Sequence, residues 1–240
     1  LSENQTRAHL VLLCGLLCDR LVWEAVAERL EKEAEISIVS FAGCTSIGEM
    51  ADRTLERAPR CFALAGHSMG GRVALEVYRR GPERVERLAL LNTGVHPVSD
   101  AEVPGRQRLL DIAEADGMTA VADAWLPPMV GAHGKQDPSL MNSLRDMVCR
   151  HSLEDFSGQI RALLNRPDAE CVLPTVRVPT LLLASDEDQW SPISQHEDMQ
   201  KALPGSRLVT LEGVGHMSTL EAPGAVAAAL KAWLSTGGSN

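Results

Sequence analysis

The sequence predicts an α/β fold: a mainly parallel sheet of about six strands, interrupted after the fourth strand by a helical insertion. Three observations carry this. Short apolar runs of strand length alternate with amphipathic stretches of helix length over the first ninety residues, as βαβ units require. The alternation then stops for about eighty residues of helical spacing. It resumes near the end with two further strand-like runs, each followed by a helical segment.

The first strand is read at Ala8 to Cys14, a continuous apolar run ending at Gly15, which suits a strand buried on both faces. Trp23, Val26, Ala27 and Leu30 follow at helical spacing, with Glu24, Glu28 and Arg29 on the other face. Glu35 to Phe41 reads as a second strand. Thr45 to Ala58 reads as a helix stopped by Pro59. Cys61 to Ala65 is a third apolar run, followed by a helix from Met69 to Arg80 closed by Gly81-Pro82. Val85 to Leu91 is a fourth strand. Right-handed crossovers then restrict the topology.

From Pro97 to Thr175 the apolar positions group as Leu109, Ile112 and Ala113, then Val121, Ala122 and Trp125, then Leu140, Leu144, Met147 and Val148, then Ile160, Leu163 and Leu164. Pro127-Pro128, the stretch Gly131 to Pro138 and Arg166-Pro167-Asp168 separate them as turns. The expected division is a core at 1–96 and 176–240, with a helical cap at 97–175. Strand pattern returns at Pro179 to Ala184 and Ser206 to Leu211. The small, polar tail from Thr236 to Asn240 is expected to be disordered, and no internal repeat is visible.

Composition narrows the function. The net charge of −9 argues against binding nucleic acid or an anionic membrane through counterion release. Hydrophobic residues make up 45% and aromatics 3%, so a sizeable core must rest on aliphatic side chains. The longest apolar run, Leu10 to Leu17, is too short to span a bilayer and lacks the flanks of a secretory signal. The first residue is Leu rather than Met, which leaves a removed leader open. Cys14, Cys18, Cys44, Cys61, Cys149 and Cys171 show no zinc spacing, and reduced thiols in a cytoplasm are expected. No metal and no cofactor are called for. The Gly134-Lys135 pair lacks the glycine spacing and hydroxyl residue of a P-loop.

The sharpest chemical signal is Gly66-His67-Ser68-Met69-Gly70. It matches the G-x-S-x-G elbow, in which a serine sits on a strained turn between strand and helix. Chance produces such a match roughly 0.1 times in a chain of this length, but this copy also follows an apolar strand and opens an amphipathic helix. A serine hydroxyl needs a base to take its proton. Of the histidines beyond the insertion, His216 lies in a glycine-flanked loop after the last predicted strand. His196 lies in a polar helical stretch and is expected to face solvent. Ser185-Asp186-Glu187-Asp188-Gln189-Trp190-Ser191-Pro192 offers three carboxylates.

Gly66-His67-Ser68-Met69-Gly70-Gly71 resembles the α/β-hydrolase superfamily, particularly its esterase and enol-lactonase-like members, and the likeness runs from Leu10 to Trp233. The resemblance implies Ser68 as nucleophile, His216 as base and Asp188 as the acid. Relatives usually read Gly-x-x-Asp with a proline four residues on, which selects Asp188 with Pro192. Here Ser185 replaces the glycine, and Asp186 is the fallback. It further implies an oxyanion hole from the backbone amides of Leu16 and Met69. Cys14 stands where relatives have histidine, and packing is the expected role of Cys14 and Cys18. Many relatives also begin with an antiparallel hairpin; with only about nine residues before the first strand, this chain is expected to lack it.

Leu17, Trp125 and Trp190 are the expected substrate contacts, with Leu16 beside them. Met118, Met129, Met141 and Met147 are weaker candidates, since methionines at helical spacing are more often core. Nothing resembles the arginine clamp of a dicarboxylate site, although Arg106, Arg108, Arg145 and Arg150 offer the charge. The function implied is hydrolysis of a small carboxylic ester through an acyl-enzyme. The same machinery serves lactones and, in some relatives, C–C bonds. A non-enzymatic ligand receptor is the alternative of another class; the complete Ser, His and Asp set argues against a dead scaffold, and Ser68 against a dehalogenase with an aspartate nucleophile. A small ester is the expected partner, and the sequence leaves oligomeric state open.

Overall fold

The computed structural model describes residues 7–236; residues 237–240 of the polar tail lie outside the described residues. The strands are β1 (Ala8–Leu13), β2 (Ala34–Val39), β3 (Phe62–His67), β4 (Val85–Leu91), β5 (Thr180–Ser185) and β6 (Arg207–Leu211). The helices are α1 (Leu21–Leu30), α2 (Ile47–Arg57), α3 (Met69–Arg80), α4 (Glu102–Trp125), α5 (Pro138–Cys149), α6 (Leu153–Leu164), α7 (Ile193–Ala202), α8 (Ser218–Glu221) and α9 (Pro223–Ser235). Among the described residues these strands form one six-stranded sheet, ordered β2-β1-β3-β4-β5-β6, with every pair parallel.

Burial follows position in the sheet. The inner strands β3 and β5 are buried at every residue and β4 at five of its seven, whereas the edge strands β2 and β6 are buried at only two and one of theirs. A parallel sheet covered by helices on both faces imposes this gradient. It also explains why β3 and β5 read as unbroken apolar runs.

Helix ends have local causes. The Ser46 hydroxyl accepts from the Glu49 N–H at 3.1 Å and caps α2. The Gly81 N–H closes α3 onto the Val77 carbonyl at 3.0 Å. Ser152 and Asp155 form a reciprocal capping box at α6. Helix α4 breaks at Gly117, whose φ of +79° and ψ of 179° are not helical; this separates the two apolar groups read at 109–113 and 121–125.

Helices α4, α5 and α6 all lie between β4 and β5, and this segment is tied to the rest of the molecule by side chains. The Gln159 amide oxygen accepts from the Leu17 N–H at 2.9 Å, Asp155 accepts from the Gly43 N–H at 2.7 Å, and Arg150 pairs with Asp19. No helix among the described residues is long and apolar enough to cross a membrane.

His196 is corrected. It is fully buried on α7, where Nδ1 donates to the Pro192 carbonyl at 3.2 Å and Nε2 accepts from the Thr93 N–H at 3.3 Å. Burial lowers its pKa, so it is a neutral strut beneath the strand ends. The polar neighbours Gln195 and Glu197 mask its inward face in the sequence.

Candidate active site

The site is assembled at the carboxyl ends of the central strands. β3 runs straight into α3, and Ser68 occupies the junction at φ +56° and ψ −120°. A non-glycine residue at positive φ is strained, and two hydrogen bonds hold it there. The Ser68 N–H donates to the Leu91 carbonyl at 2.9 Å, and the Thr93 hydroxyl donates to the Ser68 carbonyl at 2.7 Å. The flanking glycines permit the turn. A Cβ on Gly66 would strike the Gly70 carbonyl, and one on Gly70 would strike the Leu13 carbonyl at the end of β1. That second close approach brings the loop after β1 against the start of α3.

His216 lies in the loop after β6. Its Nε2 is 2.7 Å from Ser68 Oγ and its Nδ1 is 2.8 Å from Asp188 Oδ2. Its backbone is fixed from the helical segment, since the His216 and Met217 N–H groups donate to the Met129 carbonyl at 2.8 and 3.2 Å. Asp188 is buried and accepts from four donors: His216, the Asn92 amide at 2.9 Å, and the Trp190 and Ser191 N–H groups at 2.8 and 3.0 Å. Burial alone would raise its pKa. The His216 charge and these hydrogen bonds outweigh burial and hold the carboxyl well below its ordinary range. Asp186, by contrast, accepts from the Val214 N–H at 3.3 Å, on the far side of the turn. Ser185, the departure from the usual glycine, lies 3.1 Å from the Asn92 amide.

Leu16 and Met69 border the same cleft as Ser68, and among the described residues neither backbone amide has a protein acceptor. Leu17 differs from expectation. It is fully buried, at φ +53°, and does not line the cleft; the left-handed backbone turns its side chain into the core while its N–H engages Gln159. Gln159→Met should leave the Leu17 N–H unpaired, a defect of about 1–3 kcal/mol, and loosen the Leu16 amide beside it. A fall in kcat larger than any rise in KM, measured on an aryl ester, is the expected result; unchanged kcat would show that this bond does not position the loop.

The cleft has a volume of about 540 Å³. Trp125, Met129 and Trp190 line it, Trp190 being 42% exposed at the mouth. Met147 is buried in the core, and Met118 and Met141 pack against it. Of the arginines named from sequence, Arg106 lines the cleft, whereas Arg145 pairs with Asp123 and Arg150 with Asp19. Arg72 lines it too, and sequence reading missed it. The available signal was its spacing, four residues after Ser68 and one helical turn along α3.

Beneath His216 sits His67, fully buried, with Nε2 donating to the His216 carbonyl at 2.7 Å and Nδ1 unpartnered. Burial, and next the proximity of His216, push its pKa down to about 4. A base depressed on folding contributes stability above its unfolded pKa near 6.5, and that stability is lost as pH falls towards 4. The melting temperature should therefore decline over this window, and His67→Gln, which keeps a donor, should flatten the decline. Parallel Tm–pH curves for the two proteins would remove His67 as a cause.

The six cysteines are free, with Cys14, Cys18 and Cys44 buried. Burial raises the Cys14 thiol and, together with Asp19, pushes Cys18 up to about 12, so both pack as apolar groups.

A sequence model described as the alpha/beta hydrolase family matches residues 10–229. A putative carbamate hydrolase RutD of Pseudomonas savastanoi pv. phaseolicola is 31% identical over 68% of this chain, which spans 63% of that relative's length. A pimeloyl-[acyl-carrier protein] methyl ester esterase of Nitrosomonas europaea is 27% identical over 89% of this chain and 90% of its own. Among solved structures, a thermophilic esterase from Thermogutta terrifontis with malate bound superposes with a TM-score of 0.86 at 26% identity, covering 95% of this chain and 90% of that one.

Proposed function

The chain belongs to the alpha/beta hydrolase family, and from that premise we propose that it is a serine esterase acting on small carboxylic esters through an acyl-enzyme. The observation that carries this is the continuous hydrogen-bonded line from Ser68 Oγ through His216 to Asp188, with contacts of 2.7 and 2.8 Å. As Ser68 Oγ attacks the ester carbonyl, its proton passes to His216 Nε2. Asp188 keeps the other ring nitrogen protonated and stabilises the imidazolium without taking the proton. The Leu16 and Met69 amides hold the tetrahedral oxyanion, a contribution worth about 10²–10³ in kcat per donor. Collapse breaks the ester C–O bond, and His216 returns the proton to the departing alcohol. Water then attacks the acyl-enzyme by the same route, releasing the carboxylic acid and free Ser68.

The ester class is supported by the methyl ester esterase and the thermophilic esterase among the relatives, and by a cleft sized for a small ligand. The direct test is stopped-flow hydrolysis of p-nitrophenyl acetate, butyrate and octanoate. An initial burst of nitrophenol equal to the enzyme concentration, followed by slower turnover, is expected of an acyl-enzyme. Absence of turnover on all three would overturn the esterase reading.

A further inference from the structure

Beyond the Ser68, His216 and Asp188 line, the cleft ends in a cluster of positive charge that hydrolysis of a neutral ester does not use. Three arginines, Arg72, Arg106 and Arg166, gather here with a single carboxylate, Glu102, which Arg106 and Arg166 engage. Arg166, whose side chain is 1% exposed, grips both Glu102 oxygens, and Arg106 reaches one of them at 3.1 Å. Glu102 is therefore already committed. Burial would raise its pKa, but these two arginines outweigh burial and hold it at about 2.

Arg72 is left over. Among the described residues no carboxylate lies within ion-pair distance of it, and its one hydrogen bond is from Nη1 to the His96 carbonyl at 2.8 Å. That carbonyl also accepts from Arg166 Nε at 3.2 Å. The Arg106 Nε–H is buried with no acceptor. Gly94 keeps the space beside Arg72 open: a Cβ there would come within 2.9 Å of Gln195 Oε1 and His96 Cε1, and 3.2 Å of Arg72 Nη2. Both Arg72 and Arg106 line the same cleft as Ser68. His96, which shares it, has its pKa lowered by burial and then by Arg72 and Arg166, the response expected of a site with positive potential. This concentration stands against a chain whose net charge is −9.

From the unpaired Arg72, the orphaned Arg106 Nε–H and their position in the cleft of the proposed nucleophile, we infer that the substrate is an ester carrying a free carboxylate, received by Arg72 and Arg106 while its ester group lies at Ser68. This inference rests on the serine-esterase reading for its chemistry. Hydrolysis of such an ester consumes one water, breaks the ester C–O bond and yields one new carboxylate, one alcohol and one proton: a dicarboxylate where the free carboxylate is on the acyl side, a hydroxy acid where it is on the alcohol side. A guanidinium fork meets a carboxylate through two parallel N–H donors, and burial strengthens that contact by excluding competing water.

Two measurements test it. The first compares kcat/KM for methyl hydrogen succinate, glutarate and adipate, and for 4-acetoxybutyrate, with their neutral primary-amide counterparts. At least one carboxylate should exceed its amide by ten-fold or more. Arg72→Gln should reduce that ratio roughly 10–100-fold, as loss of a charge-assisted hydrogen bond implies, and Arg72→Lys should restore part of it. The second needs no turnover: adipate should raise the Tm of the Ser68→Ala protein more than adipamide does, and adding Arg72→Gln should remove the difference. Equal rates on every carboxylate and amide pair, with p-nitrophenyl esters still cleaved, would overturn the carboxylate site and leave the esterase standing. Adipate stabilisation without any ester turnover would retain the anion site and overturn the esterase.

Discussion

Ser68→Ala should reduce kcat on p-nitrophenyl butyrate by a factor on the order of 10⁶, with little change in melting temperature. If Ser68 is the nucleophile proposed above, its removal costs about as much as removing the whole catalytic set, because such residues act as a unit. The Ser68 hydroxyl oxygen meets His216 alone among the described side chains, while the strained backbone is held by the Ser68 N–H and carbonyl. Alanine keeps both of those bonds, so the turn should persist. The check is steady-state kinetics with a folding control from circular dichroism. Residual turnover above one part in a hundred would identify a different nucleophile.

Asp188→Asn should lower kcat by about 10⁴. The reason lies in the donors surrounding position 188. His216 Nδ1, the Asn92 amide and two backbone N–H groups all point their hydrogens at this carboxylate. An asparagine has one acceptor oxygen to offer in place of two, and its NH₂ must face at least one of those donors. The imidazole would then turn or change tautomer, and the Nε2 lone pair would be lost to Ser68. Asp186→Asn provides the contrast. Its carboxylate serves the Val214 N–H, so activity should stay within a few-fold of wild type. An inverted result, with Asp186→Asn dead and Asp188→Asn active, would assign the acid to the other register of the loop.

Much of this arrangement was legible because it is written in local patterns. The span of α3 was read to the residue, since the glycine-serine elbow opens it and Gly81-Pro82 closes it. The central strands were visible because parallel strands covered on both faces must be apolar throughout. The edge strand β2 was placed one to two residues late, as its half-exposed pattern marks its ends poorly. Long-range partners were not legible. Gln159 meets the Leu17 N–H across 142 positions, and Asn92 meets Asp188 across 96; no periodicity announces such pairs. Leu17 is expected at the substrate from its place beside the oxyanion position implied by the resemblance, and a single positive φ reverses its direction. Beyond its spacing from Ser68, Arg72 carries no signal in the sequence, because one arginine on an amphipathic helix reads as a solvated face.

The Met129 carbonyl, which accepts from both His216 and Met217, constrains how this protein can be engineered. The stretch around Met129 and the loop carrying the proposed base form one mechanical unit, although they stand 87 positions apart in the chain. A chimera that takes its helical segment from a relative but keeps its own histidine loop would be born with the imidazole out of register. Grafts that exchange both stretches together should retain activity where single exchanges lose it. Redesign of the segment over this cleft is thus constrained at one carbonyl, and a change in either stretch should be matched by a compensating change in the other.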